Sequence, residues 1–176
     1  MKATRAAAAA LALAALAGCG RGGAPQDEPA PVRAPPARLS GTVERVVDGD
    51  TLVARIDGGR VRVRLLGVDA PESAAGYGSA ECYGVEATEA ARDLLPRGAR
   101  IALRTDPTQG REDRFGRLLA EVTVGGAART VNEELVGGGS AEVFRGDGRG
   151  RLQAELRALE RRARAGGLGL WSACRC

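Results

Sequence analysis

Residues Arg60 to Leu65 alternate strictly, with Val61, Val63 and Leu65 on one face and Arg60, Arg62 and Arg64 on the other. A period of two over six residues is a strand with one side on a core and the other in water. Asp57-Gly58-Gly59 just before it is a hairpin signal, and Leu52, Ala54 and Ile56 alternate on the far side of that turn. The hairpin is flanked by Asp48-Gly49-Asp50-Thr51 and by Arg64-Leu65-Leu66-Gly67-Val68-Asp69-Ala70-Pro71-Glu72. Three acids (Asp50, Asp69, Glu72) and one arginine (Arg64) therefore sit at turns and strand ends, where charges converge on a point instead of spreading over a wet face. That grouping is suited to metal and phosphate chemistry. For Arg60 and Arg62 the reading is simply the solvated side of the strand.

The rest of the chain supplies a barrel and its helices. Val43, Val46 and Val47 lead into the Asp48 turn, and further strands are expected at Arg100–Arg104 and over Leu118, Ala120, Val122 and Val124. Helical spacing runs from Val85 to Leu95, with an apolar stripe of Ala87, Ala91, Leu94 and Leu95 and a stop at Pro96. Val131 to Val136 is a short helix ended by three glycines, and Arg151 to Ala165 is the clearest helix, striped by Leu152, Leu156, Leu159 and Ala163. On its solvated faces Arg151–Glu155 and Glu160–Arg164 are spaced to pair, and Trp171 is expected as a core anchor. Five short strands interleaved with about three helices predict an α+β fold, a five-stranded Greek-key barrel of the OB type with the helices packed outside it.

Composition removes whole classes of chemistry. The chain has no histidine, which excludes imidazole ligands, imidazole bases and Ser-His-Asp triads, so catalysis here must use carboxylates. Lys2 is the only lysine, so every later basic side chain is arginine, the planar fork suited to phosphate oxygens. A formal charge of +4 loses its weight once the leader is set aside, because Lys2 and Arg5 leave with it and 24 basic groups then face 22 acidic ones.

That leader is the apolar run Ala6–Ala17 behind Lys2 and Arg5, too short for a membrane span but suited to a secretory signal. It ends in Leu16-Ala17-Gly18-Cys19, which resembles a bacterial lipobox; the resemblance implies lipidation of Cys19 and a membrane-anchored, exported protein with its domain in the periplasm or outside the cell. Residues 1–19 are thus read as the signal. Residues 20–37, with five of the eight prolines, are read as a disordered tether spanning roughly 25 Å as a coil and up to about 55 Å extended. Residues 38–176 form the domain. With Cys19 lipidated, Cys82, Cys174 and Cys176 remain, and their spacing does not suit zinc. One disulfide is expected, Cys82 to Cys174, with Cys82–Cys176 the close competitor.

Six collinear motifs resemble the staphylococcal nuclease (thermonuclease) family over about residues 39–173. They are Asp48–Thr51, Arg64–Glu72, Tyr83-Gly84-Val85-Glu86-Ala87, Asp113-Arg114-Phe115-Gly116-Arg117, Val131–Val136 and Gly169-Leu170-Trp171-Ser172. The resemblance implies a calcium-dependent phosphodiesterase acting on DNA and RNA and leaving 3′-phosphate products. It implies one Ca²⁺ ion held by Asp50, Asp69 and the backbone carbonyl of Ala70, with Asp48 behind them. Arg64 and Arg117 would hold the scissile phosphate, Glu72 is the candidate general base, and Arg114 and Phe115 would meet the substrate. Ala70 stands where the best-known members carry a hydroxyl, a change that a carbonyl ligand tolerates. Phe115 stands where a tyrosine is common, keeping a stacking face without the hydroxyl. The alternatives are a catalytically inactive OB barrel that binds nucleic acid or protein, and a purely structural envelope lipoprotein. The five charges Asp50, Arg64, Asp69, Glu72 and Arg117 are all present and weigh against both. Nothing in the sequence points to an oligomer, so the protein is read as a monomer.

Overall fold

The computed structural model describes residues 36–73, 79–146 and 150–174. The leader with Cys19, the tether up to residue 35, and Cys176 fall outside them. In chain order the elements are β1 (Arg38–Asp48), β2 (Thr51–Ile56), β3 (Gly59–Leu65), β4 (Val68–Asp69), α1 (Gly84–Leu94), β5 (Arg100–Arg104), β6 (Leu118–Val124), α2 (Val131–Gly137), β7 (Glu142–Val143), α3 (Gln153–Ala165) and α4 (Leu170–Ala173).

Five strands close into a barrel in the order β1-β2-β3-β6-β5, and β1 also pairs with β5. The β3–β6 pairing is parallel and the others are antiparallel, the arrangement of an OB-type α+β fold. β1 can serve two neighbours because register shifts between Val43 and Arg45 and between Val46 and Asp48 bend it around the barrel. Val63 and Leu65 of β3 are buried inward with Leu52, Leu103 and Val122, while Arg60 and Arg62 face water, as the alternation requires.

α3 lays Leu156, Leu159 and Ala163 on the core, and α1 does the same with Ala87, Ala91 and the following Leu95. α2 begins with a capping box: the Thr130 hydroxyl accepts from the Glu133 N–H at 3.1 Å, and the Glu133 carboxylate accepts from the Thr130 N–H at 2.7 Å. Behind that cap the fully buried Asn132 accepts from Val122 N–H at 3.0 Å and donates to the Leu66 carbonyl at 2.9 Å. It fastens the helix to β6 and to the turn that leads into β4.

Three expectations are corrected. Arg151 turns to the buried Glu121, and Glu160 accepts from the Val143 N–H at 2.9 Å, so neither serves only a helix-surface pair. Trp171 is half-buried with the Arg164 guanidinium 4.1 Å from its ring, and Leu170 is the side chain that anchors the tail. The two-residue pair β4–β7 and the single-turn α4 are additional, too short to carry a readable period. Cys82 is bonded to Cys174 across 92 residues, and a loop of that length restricts the unfolded chain by about 4–5 kcal/mol in the chain-entropy account.

Candidate active site

The β1–β2 turn is placed by close packing. A Cβ on Gly49 would lie 2.6 Å from the Ala70 methyl, so only glycine lets the turn approach the segment after β4. The following Asp50 is 2% exposed, and its carbonyl accepts the Leu65 N–H at 2.8 Å. Register then pairs Thr51 with Arg64, which sets the arginine beside Asp50. Arg64 donates from Nη1 to the Asp50 carboxylate and from Nη2 to Asp69 Oδ1 at 3.0 Å and to the Val68 carbonyl at 3.2 Å. One guanidinium thus holds both acids expected to be ligands. β4 pairing with β7, Asp69 opposite Glu142, fixes the strand that carries Asp69.

Asp50 accepts two more hydrogen bonds, from the Ala70 N–H at 3.0 Å and from the Thr51 hydroxyl at 2.9 Å. Asp48 lies behind it, accepting from the Asp50 N–H at 3.2 Å. Burial nevertheless pushes the Asp50 carboxyl up to about 7; Arg64 pulls against the rise and Asp48 adds to it. Glu72, two residues after Ala70, is exposed. Its pKa is raised by loss of solvent and by Asp48, with Glu81 and Asp69 contributing and Arg64 opposing.

Arg117 comes in from the loop before β6. Asp113 accepts its Nε–H at 2.7 Å and the backbone N–H groups of Phe115 at 2.9 Å and Arg117 at 3.0 Å. Burial by itself would raise the Asp113 pKa, but those hydrogen bonds outweigh it and hold the carboxyl below its usual range. Arg117 Nη1 reaches the Thr51 hydroxyl at 3.5 Å, the same hydroxyl that donates to Asp50. Phe115 is 63% exposed with guanidinium carbons of Arg114 and Arg117 4.7 and 5.3 Å from its ring centre. A cavity of about 550 Å³ opens beside them, lined by Arg64, Arg117, Phe115, Leu119, Gln153 and the half-exposed Phe144 among others.

The structure therefore brings Asp48, Asp50, Arg64, Asp69, Ala70, Glu72, Arg114, Phe115 and Arg117 to one end of the barrel. Three partners escaped the sequence reading. Asp113 could have been found from its spacing to Arg117 and to the glycine of a turn. Thr51 and Glu81 carry no such signal, because their roles depend on register and on a loop closing.

A profile of the family described as "Staphylococcal nuclease homologue" matches residues 62–173. The chain belongs to the staphylococcal nuclease family. By that membership it is a nuclease of the metal-dependent hydrolase class. Protein ParB of Escherichia coli is 34% identical over 77% of this chain and 74% of its own length. Endonuclease YncB of Bacillus subtilis (strain 168) is 33% identical over 74% of this chain and 61% of its own. Micrococcal nuclease of Shigella flexneri is 33% identical over 77% and 75%.

The family implies a divalent cation. Among the described residues no group of three or more histidine, cysteine or acidic side chains could hold a metal ion. The protein's share would be two carboxylates, Asp50 and Asp69, which carbonyl oxygen and water would supplement. All of these donors are hard oxygen. Arg64 contacts Asp50 and Asp69 and acts on Glu72 as well, and burial raises the Asp50 carboxyl to about 7. The set fits a hard cation.

Proposed function

We propose that this protein is an exported, lipid-anchored, calcium-dependent nuclease that cuts phosphodiester bonds of DNA and RNA to leave 3′-phosphates. The observation that carries the reading is Arg64 bound to Asp50 and Asp69 at once, with Arg117 joined to the same Asp50 through Thr51. Two guanidinium groups and a pair of oxygen ligands thus surround one place, beside a cavity large enough for a nucleotide. Bound by Asp50, Asp69 and the Ala70 carbonyl, Ca²⁺ would supply neutralisation of phosphate charge.

Arg64, which contacts Asp50 and Asp69, would offer one fork to a non-bridging phosphate oxygen, and Arg117 would offer a second. Glu72 takes a proton from the attacking water as its oxygen bonds to phosphorus. The phosphorus–O5′ bond breaks, the 5′-oxygen takes up a proton from solvent, and the phosphate stays on the 3′ side. The raised pKa of Glu72 favours this role, since an ordinary carboxylate is a weak base at neutral pH. Phe115, with Arg114 against it, offers a base a stacking face. Anchoring through Cys19, a tether over residues 20–37 and a monomeric state complete the proposal; they rest on the leader and on composition.

The test is hydrolysis of single-stranded and duplex DNA and of RNA by the purified protein with Ca²⁺, with Mg²⁺ and with chelator, beside Glu72→Gln. Calcium-dependent cutting that collapses in the variant, with 3′-phosphate ends, supports the reading. A folded wild type that binds DNA yet cuts nothing under any metal shows a binding barrel instead. Incorporation of labelled fatty acid into the wild type and not into Cys19→Ser tests the anchor.

A further inference from the structure

Glu81 touches Glu72 twice. Its backbone N–H donates to the Glu72 carbonyl at 2.9 Å, and its side-chain Oε2 accepts the Glu72 N–H at 3.0 Å. These two bonds occupy both main-chain polar groups of Glu72, so they fix the backbone from which its side chain projects. Gly84 approaches the same residue so closely that any Cβ there would strike the Glu72 carbonyl. The next residue after Glu81 is Cys82, bonded to Cys174 behind α4. Tyr83 follows with φ of 70°, a left-handed conformation unusual for a side chain of its size, and caps α1. Glu81 is therefore held from the C-terminal side by a disulfide, a strained cap and a helix, while it grips Glu72 from the other.

We propose that Glu81 is a positioning residue for Glu72, and that the Cys82–Cys174 disulfide serves the reaction by anchoring Glu81. The alternative, a disulfide that only staples the tail to the body, accounts for the bond across 92 residues but not for the paired hydrogen bonds one residue away. The proposal rests on Glu72 as the group that takes the water's proton. Side-chain freedom at a group that must meet water and phosphorus together is costly, since a displacement of about 1 Å can lower the rate on the order of 10²-fold.

The variants are Glu81→Ala, Glu81→Gln, and the double change Cys82→Ser with Cys174→Ser, assayed below the unfolding temperature of each. Glu81→Gln keeps an oxygen that can accept the Glu72 N–H, and Glu81→Ala keeps the disulfide. Expected for Glu81→Ala is a fall in kcat of about 10- to 100-fold with KM nearly unchanged, largely recovered in Glu81→Gln. The cysteine pair should show the same kcat loss. Hydrogen exchange at the Glu72 amide, which needs no activity, should quicken in Glu81→Ala and in the cysteine pair while the barrel strands stay protected. A wild type that cuts no nucleic acid sinks the proposed function. A wild type that cuts, with Glu81→Ala cutting equally fast and its Glu72 amide equally protected, overturns the clamp alone. A normal kcat in the folded cysteine pair limits the disulfide to stability.

Discussion

Asp50 and Asp106 look alike by exposure, at 2% and 5%, and each accepts three hydrogen bonds or ion-pair contacts, yet their carboxyls move in opposite directions. Asp106 lies just under the surface after β5. It accepts from Thr108 N–H at 2.8 Å, Thr108 Oγ1 at 2.7 Å and Arg151 N–H at 2.6 Å. Burial would raise its pKa, but those donors and Arg151 outweigh burial and the pKa falls. Asp50 lies deep, with Asp48 beside it, and the same number of partners leaves its pKa up at about 7. One acid is complete within the fold. The other pairs with Arg64 yet is buried so deeply that its charge is not fully offset, at the end of the barrel where the two arginines meet. On the proposed reading, the first kind of carboxylate stabilises structure and the second is the one a cation would complete.

The sharpest way to break this contrast is Asp50→Asn. Cleavage should fall about 10³-fold or more, since several kcal/mol of transition-state charge stabilisation depends on that ligand. In chelator the same change should be on the order of 4 kcal/mol more favourable to stability at pH 8 than at pH 4. The sign follows from the raised pKa: wild-type stability from this group is fully present below the unfolded value of 3.8 and is lost as pH rises through about 7. Unfolding in urea at the two pH values measures it.

Arg64→Lys and Arg117→Lys should each lower kcat by about 10²–10³, because a point charge cannot make the forked contacts. Steady-state cleavage with Ca²⁺ checks this. Asp106→Ala should cost about 2–3 kcal/mol of stability at pH 7, by stranding buried donors, and leave kcat unchanged. That loss should shrink as pH falls below 3.8 and Asp106 itself takes up a proton, the opposite trend to Asp50. The smallest effect expected is that of Phe115→Ala, about 5- to 10-fold in KM with kcat preserved, read on short oligonucleotides.

Much of this architecture was legible because its signals are periodic or local. The alternation from Arg60 to Leu65 and the turn at Asp57-Gly58-Gly59 fixed the β2–β3 hairpin, and Leu152, Leu156, Leu159 and Ala163 showed the buried side of α3. Asp50, Arg64 and Asp69 were legible as a group because they flank that hairpin. Glu81, Asn132 and Asp106 were not. Each acts on backbone groups outside its own element, 9, 10 and 45 residues away, and nothing local distinguishes a glutamate that grips Glu72 from one on a wet helix. Trp171 misled for a related reason: its size suggested the core, but a neighbouring leucine took that place and left the ring to Arg164.

The most direct test of the account is the thermal unfolding midpoint at pH 8 with and without Ca²⁺, for the wild type, Asp50→Asn and Asp106→Asn. The account predicts that Ca²⁺ raises the midpoint of the wild type and of Asp106→Asn and leaves Asp50→Asn where it was, because a ligand that binds only the folded protein stabilises it. Equal shifts in all three proteins, or none in the wild type at millimolar Ca²⁺, would contradict the claim that Asp50 is the acid left for the metal.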